Sequence, residues 1–405
     1  MPSSVEVVVP YVLSALMALE YAYHLVRDRG SQTPRDAATS IMVAVPHTLL
    51  LTILPPAWMA LYQALEHAMP WQLPLAWWTW PLGVLAIDLA TYWMHRYHHA
   101  LNVTWAIHSV HHSSEELTIT TGARSSIMEP LVNVISGAYL ILVVPALLGL
   151  PLEAAIAGWF IKVGWGVAVH TRCVDKLGPL EWILATPSHH RVHHSLDPRC
   201  QGKNFGFVTI VWDKLFGTFQ PEDARTAEAY GVPHPPSSYA PLTVAFHELS
   251  RVWRAAVATP RWWDKLRIWF MPAGWRPPGS RGEPATRARH SRPPAALHLV
   301  GGLQLAYFLA GSVQLTRTAP HHGLGADLAY LAFLLASTVV TGAYFEHSRH
   351  YARLETARAL GVAGMLAATG AWFGRPLDAL TVGMLALAGA NLVAAWAYTL
   401  AQVRR

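Results

Sequence analysis

The sequence predicts an all-α polytopic integral membrane protein, with about nine transmembrane or membrane-embedded helices and a cytosolic, histidine-rich di-metal cap. Three observations lead there. Of 405 residues, 53% are apolar and only 13% charged, about half the roughly 25% charged share of soluble domains. Nine stretches approach the roughly 20 apolar residues needed to cross about 30 Å of hydrocarbon. Eleven of the 22 histidines fall between His95 and His194, in clusters rather than singly.

The first apolar stretch, 5–26, has no Lys or Arg before it and no small-residue cleavage site after it, so it reads as a span rather than a signal peptide. The next are 39–65 and 74–94. Segments 128–149 and 152–171 are almost continuous across Pro151 and are expected to form a tight hairpin that enters the bilayer without fully crossing it. Four more follow, at 296–315, 325–345, 358–374 and 377–400. Positive charge in short loops sets the orientation. Arg27, Arg29 and Arg35 follow the first span, Arg349 and Arg353 the seventh, and Arg404 and Arg405 close the chain, whereas the loop at 66–73 has no Lys or Arg. The N-terminus is therefore expected outside and the C-terminus in the cytoplasm, with 95–127 and 172–295 on the cytoplasmic face. The run "GWRPPGSRGEPATRARHSRPP" cannot build a packed core and reads as a linker. The expected division is a histidine-bearing module over 1–275 with its core at 85–222, a Pro/Arg-rich linker over 276–295, and a four-helix membrane module over 296–405.

Several function classes drop out on composition. Cys173 and Cys200 are the two cysteines, too few for a disulfide framework, a four-cysteine zinc site or a cysteine-bound iron-sulfur cluster. A net charge of +6 without a nucleic-acid motif points to anionic headgroups rather than nucleic acid. The soluble di-iron Glu-x-x-His pair, H-E-x-x-H and G-x-S-x-G are all absent.

The histidines carry the chemistry. "DLATYWMHRYHH" places His95 and His99 four apart, "WAIHSVHHSSEE" gives His108, His111 and His112, and "TPSHHRVHHS" repeats that spacing with His190, His193 and His194, beside His189. His170 stands alone at the cytoplasmic end of the hairpin. Residues at i, i+3 and i+4 are neighbours on a helix, so these imidazoles can converge on one metal ion or a pair. Such a nitrogen-dominated set without a carboxylate-rich partner suits two transition-metal ions. Asp88, seven residues before His95 in an apolar span, needs partners for its buried carboxylate. Two resolutions stand open, a hydrogen bond to a ligand histidine or one to Tyr92 or backbone. Glu115, Glu116 and Arg124 either shape a pocket or are solvated, Trp105 reads as an interfacial anchor, and His347 with His350 is a further pair at ligand spacing.

The ordered set His-x3-His, His-x2-His-His, a lone His, then His-x2-His-His resembles the fatty acid hydroxylase and sterol desaturase superfamily. The string "LGPLEWILATPSHHRVHHSLDPRCQGKNFGFVTIVWDKLFGTFQPE" is most similar to its alkylglycerol monooxygenase branch, as are the length and the extra C-terminal membrane module. The resemblance implies a non-haem di-iron centre at the cytosolic membrane face and O2 as co-substrate. It implies an electron donor, either a protein or a reduced pterin such as the tetrahydropterin of that branch, and a membrane lipid as substrate. Carried over by position, it makes His95, His99, His108, His111, His112, His170, His190, His193 and His194 the metal ligands, with His189 and Asp88 as additional ligands or hydrogen-bonding supports. The chain departs from the branch at Ala100, where a glutamate is usual, and in "HHSSEELTITTGARSS".

The expected activity is hydroxylation of a C–H bond in a fatty acyl chain, an ether lipid or a sterol. A lipid or sterol desaturase shares the same hydrogen abstraction. From other classes, a bis-histidine haem carrier needs pairs deep in the membrane, and a zinc-binding structural or transport protein needs a polar path through the spans, where Asp88 and Lys162 are the main charges. A lean toward Ala, Gly, Pro and Arg suggests a bacterial inner membrane, with the site facing the cytoplasm.

Overall fold

The computed structural model describes residues 4–27, 33–53, 55–131, 140–224, 226, 229–280, 296–319 and 322–403. Their regular structure is helical, and pairing between extended segments is confined to isolated bridges such as Leu184 with Thr209 and Ser195 with Tyr230. The chain divides into two compact units. One takes in residues 1–32, 55–235 and 246–287, and the other 33–54, 236–245 and 288–405.

The first unit is built from α1 (Ser4–Arg27), α3 (Pro55–Ala68), α4 (Thr79–His98), α5 (Asn102–His112), α6 (Ile119–Ala123), α7 (Met128–Leu131), α8 (Leu140–Leu147), α9 (Leu152–Ala168), α10 (Pro187–His194) and α11 (Val211–Leu215). It also holds most of α12 (Pro241–Ala258) and all of α13 (Trp262–Arg267). The helices α4 and α9 form its axis. They cross so closely that a Cβ on Gly83 would stand 2.3 Å from the Ala154 carbonyl oxygen, and one on Gly158 2.6 Å from that of Gly83. Small residues at a crossing let two backbones touch, the packing that substitutes for a hydrophobic driving force inside a membrane. One face of α4 buries Ile87, Ala90 and Met94 against Ile141 of α8, while Leu82, Leu85 and Trp93 point outward.

The second unit combines α2 (Pro34–Ile53) with α14 (Ala296–Thr318), α15 (Leu324–Phe345), α16 (Tyr351–Thr369) and α17 (Ala379–Val403). Its core joins Ala38, Val300, Val340, Tyr344, Phe345, Tyr351 and Ala395. Several buried polar groups are paired within it: Arg375 with Asp327 at 2.5 Å, and Gln304 donating to both Glu355 and Tyr351.

Among the described residues, Pro34–Ile53, Leu299–Thr318, Leu324–Phe345 and Ala379–Gln402 are long and apolar enough to cross a membrane, and the protein is an integral membrane protein. This is fewer than the nine expected segments, for local reasons. The stretch 39–65 is not one helix: α2 ends at Ile53 and α3 begins with Pro55 and Pro56, where proline supplies no N–H to continue the ladder. In 128–149 the described parts are the short α7 and α8, and 132–139 lie outside the described residues. The 17-residue α9 is about 26 Å long at 1.5 Å per residue, short of a full crossing. Of the expected linker 276–295, residues 281–295 lie outside the described residues.

Candidate metal centre

Four elements deliver the histidines. His95 lies in the last turn of α4 and His99 caps it, His108, His111 and His112 occupy the last turns of α5, His170 follows α9, and α10 is the run "PSHHRVHH". The rings meet in two groups. In one, His95, His99, His108, His112 and His193 bring ligand nitrogens within 4.8 Å of one another, and in the other His111, His170, His190 and His194 do the same. The adjacent pairs His111–His112 and His193–His194 are each split between the groups. Successive helical residues point about 100° apart while i and i+4 share a face, so α5 and α10 each serve both groups. The groups adjoin: His112 and His194 stack at 4.2 Å between centroids.

The outer nitrogens are anchored to backbone carbonyls. His95 Nδ1 donates to Phe205 O (2.9 Å), His111 Nδ1 to Arg124 O (3.1 Å), His170 Nδ1 to Gly166 O (2.7 Å) and His193 Nδ1 to Lys203 O (2.8 Å). A carbonyl only accepts, so Nδ1 carries the proton and Nε2 turns inward with a bare lone pair. His111 and His170 then hold two lone pairs face to face, with their Nε2 atoms 3.1 Å apart, an arrangement that a cation between them relieves. Metal–nitrogen bonds of about 2.0–2.1 Å set neighbouring ligand nitrogens roughly 3 Å apart. The other inward separations agree: 3.1 Å for His170–His194, His190–His194 and His112–His193, and 2.7 Å for His170–His190. The buried Nε2 atoms of His95, His99 and His108 have no hydrogen-bond partner, a costly state for a polar atom that ligation removes. These donors fit a pair of transition-metal ions.

Electrostatics point the same way. Burial pushes His111 down to about 4 against the pull of its Arg124 carbonyl contact, and His193 down to about 3. Burial first, then neighbouring imidazoles, holds His108, His112, His190 and His194 well below the usual histidine value. All are neutral near pH 7, the form that ligates metal.

The loop 203–209 is the frame. Asp88 does not reach a histidine. Its carboxylate accepts from Val208 N (2.8 Å), Thr209 N (3.0 Å), Thr209 Oγ1 (2.8 Å) and Trp212 Nε1 (3.0 Å), which resolves its burial through that loop and Trp212 of α11. Asp213, which the motif reading passed over, holds Phe205 N, Gly206 N and Thr218 Oγ1. Together they fix the segment whose carbonyls orient His95 and His193. His189 lies outside both groups. Its Nδ1 accepts from Thr186 N at the start of α10 and its ring rests on Phe219, which turn it aside although it stands four residues before His193. Trp105 is not merely an anchor, since its ring packs against His99 and His112. Phe205 covers His95, His99 and His193, Phe207 covers His95, and buried His98 packs on His108. Arg124 is buried, with Nη1 donating to Ser113. His347 belongs to neither group: it accepts from Arg35 Nη2 and meets Tyr398.

With this geometry in hand, comparison with known proteins is decisive. The profile of the fatty acid hydroxylase family matches residues 80–218, the segment that contains all nine clustered histidines. This segment is a fatty acid hydroxylase domain. Human alkylglycerol monooxygenase is 33% identical over 281 residues, covering 68% of this chain and 61% of that protein. The Xenopus tropicalis alkylglycerol monooxygenase is 36% identical over 217 residues, 53% of this chain and 46% of its own. The ornithine lipid hydroxylase of Rhizobium tropici is 29% identical over 201 residues, 49% of this chain and 56% of its own. The chain thus spans less than two thirds of the length of these relatives. No solved structure matches it.

Proposed function

We propose that this chain is a membrane-embedded lipid hydroxylase of the alkylglycerol monooxygenase branch, in which the nine clustered histidines hold two iron ions. The observation that carries the reading is the face-to-face lone pairs of His111 and His170, each fixed by a carbonyl on the outer nitrogen. The relatives' names supply the lipid substrate class, and the charge distribution of the loops supports a site facing the cytoplasm, in a bacterial inner membrane on compositional grounds. The expected spans beyond the four long apolar helices, and the cap they would carry, belong to this proposal.

Bound iron supplies the dioxygen activation that hydroxylation of an unactivated C–H bond requires. The chain's own residues do the rest. His95, His99, His108, His112 and His193 present neutral nitrogens to one ion, and His111, His170, His190 and His194 to the other. The carbonyls of Phe205, Arg124, Gly166 and Lys203 hold four of these rings in a single tautomer, with the inward nitrogen free to bind an ion. Phe205, Phe207 and Trp105 wall the site with apolar surface and keep water from the reacting centre. An external donor, protein or reduced pterin, supplies the electrons. Hydroxylation beside an ether oxygen gives a hemiacetal, which collapses to a fatty aldehyde and a glycerol.

The test is direct. Protein purified with iron, supplied with a reductant and dioxygen, is offered an alkylglycerol and an ester-linked analogue. Aldehyde release from the ether alone supports this branch. An iron-loaded protein that desaturates its lipid, losing two hydrogens without gaining oxygen, contradicts hydroxylation. A protein that holds zinc but no iron contradicts the oxygenase reading itself.

A further inference from the structure

A third group of ligand-type side chains lies outside the nine histidines and plays no part in the mechanism above. On α1, Glu20 and His24 are four apart on one face, both buried, and Cys173 from the stretch after His170 meets them. The ligand atoms of the three lie within 4.8 Å of one another. Cys173 Sγ stands 3.6 Å from His24 Nε2 and 3.9 Å from Glu20 Oε1.

Those separations have a chemical meaning. With Zn–S near 2.3 Å and Zn–N or Zn–O near 2.0–2.1 Å, the S···N and S···O edges of a zinc tetrahedron are about 3.5–3.6 Å. The S···N separation matches such an edge, and the S···O separation exceeds it by about 0.3 Å. The carboxylate is already held: Glu20 Oε2 accepts from Ile119 N at 2.6 Å, and Oε1 from Thr171 Oγ1 at 2.5 Å. Thr171 Oγ1 also receives Cys173 N at 3.0 Å, so the loop that carries the thiol is tied to the carboxylate that would share its metal. Hydrogen-bonded carboxylate ligands are what well-ordered zinc sites use. One thiolate and one carboxylate balance a divalent charge, and Cys173 is an exposed residue while Cys200 is buried, which leaves a route for metal entry.

We infer that Glu20, His24 and Cys173 form a mononuclear zinc site, distinct from the histidine groups, that clasps α1 to the segment carrying His170. It binds by releasing the thiol proton to solvent and forming one bond each from Sγ, Nε2 and a carboxylate oxygen, with water as fourth ligand. The site is a staple: His170 is fixed at Nδ1 by Gly166 O, and the zinc fixes the chain three residues further on.

The experiment uses full-length protein in detergent, already loaded with iron so that the histidine groups do not compete, and it reads metal binding rather than turnover, so its outcome is independent of the proposed activity. Alkylation of Cys173 by a maleimide is followed by mass spectrometry with and without added zinc, with buried Cys200 as internal reference. Zinc is expected to slow labelling of Cys173 about tenfold or more, because the bound thiolate is no longer free to attack, and a chelator to restore it. His24→Ala and Glu20→Gln each abolish that protection. Cobalt gives the same answer spectroscopically, through a thiolate-to-cobalt charge-transfer band that Cys173→Ser removes and Cys200→Ser keeps. Labelling of wild-type Cys173 that ignores zinc overturns the inference, and that measurement needs no variant to fold. Protection that survives His24→Ala also overturns it.

Discussion

Removing the carboxylate of Asp88 tests whether the frame behind the histidines matters as much as the histidines. Asp88 accepts four hydrogen bonds, two from the backbone N–H groups of Val208 and Thr209 and two from the Thr209 hydroxyl and Trp212. The hydroxyl can rotate to another acceptor and the Trp212 contact is only part-buried, but the two backbone donors are fixed and buried. In Asp88→Ala both are left buried and unsatisfied, at about 1–3 kcal/mol each, so the loss is about 2–6 kcal/mol. In Asp88→Asn the amide oxygen can keep the site of Oδ2 with its three donors. The amide nitrogen then faces Val208 N, and the cost falls to that of one opposed donor pair, about 1–3 kcal/mol. Set against a typical stability of about 5–15 kcal/mol, the alanine variant is severely weakened. The same loop delivers the Phe205 carbonyl to His95, and loss of such a support typically lowers metal affinity about 10- to 100-fold. The assay is iron per chain by elemental analysis, together with the temperature of irreversible inactivation in detergent. Both are expected to fall in the order wild type, Asn, Ala. An alanine variant with the wild type's iron content and inactivation temperature would refute the reasoning, because it would mean the loop needs no anchor.

Three other outcomes follow from the same geometry. His189→Phe should cost about 0.5–2 kcal/mol as a lost helix cap and leave the iron count unchanged, whereas His190→Phe should lose metal from the group of His111, His170 and His194; equal iron loss in both would remove the distinction between neighbours on α10. Gly122→Ala should cost about 1–3 kcal/mol by overpacking, since its Cβ would lie 2.7 Å from both His170 Nδ1 and the Val167 carbonyl oxygen, and a variant as stable as the wild type would show that α6 can yield there. Lowering pH should destabilise the metal-free protein: His111 and His193 titrate near 4 and 3 when folded but near about 6.5 when unfolded. The unfolded chain therefore binds more protons, and stability present above about 6.5 is lost progressively as pH falls toward the folded values. Thermal unfolding between pH 8 and pH 5 measures this, and a flat profile would contradict the burial of those rings.

Periodicity explains why some features were readable from the chain and others were not. The i, i+4 pairs His95–His99, His108–His112 and His190–His194 each share a face and a group, whereas His189–His193 has the same spacing and is separated by the helix cap at Thr186. Which group receives His111 or His193 depends on how α5 and α10 face each other, and no local pattern encodes that. Asp88 was marked by its charge in an apolar stretch, yet its partners are 120 residues and more away in the chain. Asp213 carried no signal of its own beyond the string that resembles the family, because an aspartate in "VWDKLFG" looks like any short-helix residue until Phe205 and Gly206 are seen to donate to it. Apolar content located the long helices but not the breaks within it. Pro55 was visible in the sequence, yet a proline inside an apolar run signals a kink as readily as an end, and only the packing decides.

The central claim, that these histidines support iron-dependent hydroxylation of a membrane lipid, meets its most direct test in isotope labelling. Cells expressing the wild type or the His108→Ala, His193→Ala double variant are grown under 18O2, and their lipids are compared by mass spectrometry. The account predicts a lipid, or an aldehyde derived from one, that carries one labelled oxygen in the wild type alone. Label appearing equally with the double variant would contradict it, and so would a wild-type lipid that gains a double bond and no label.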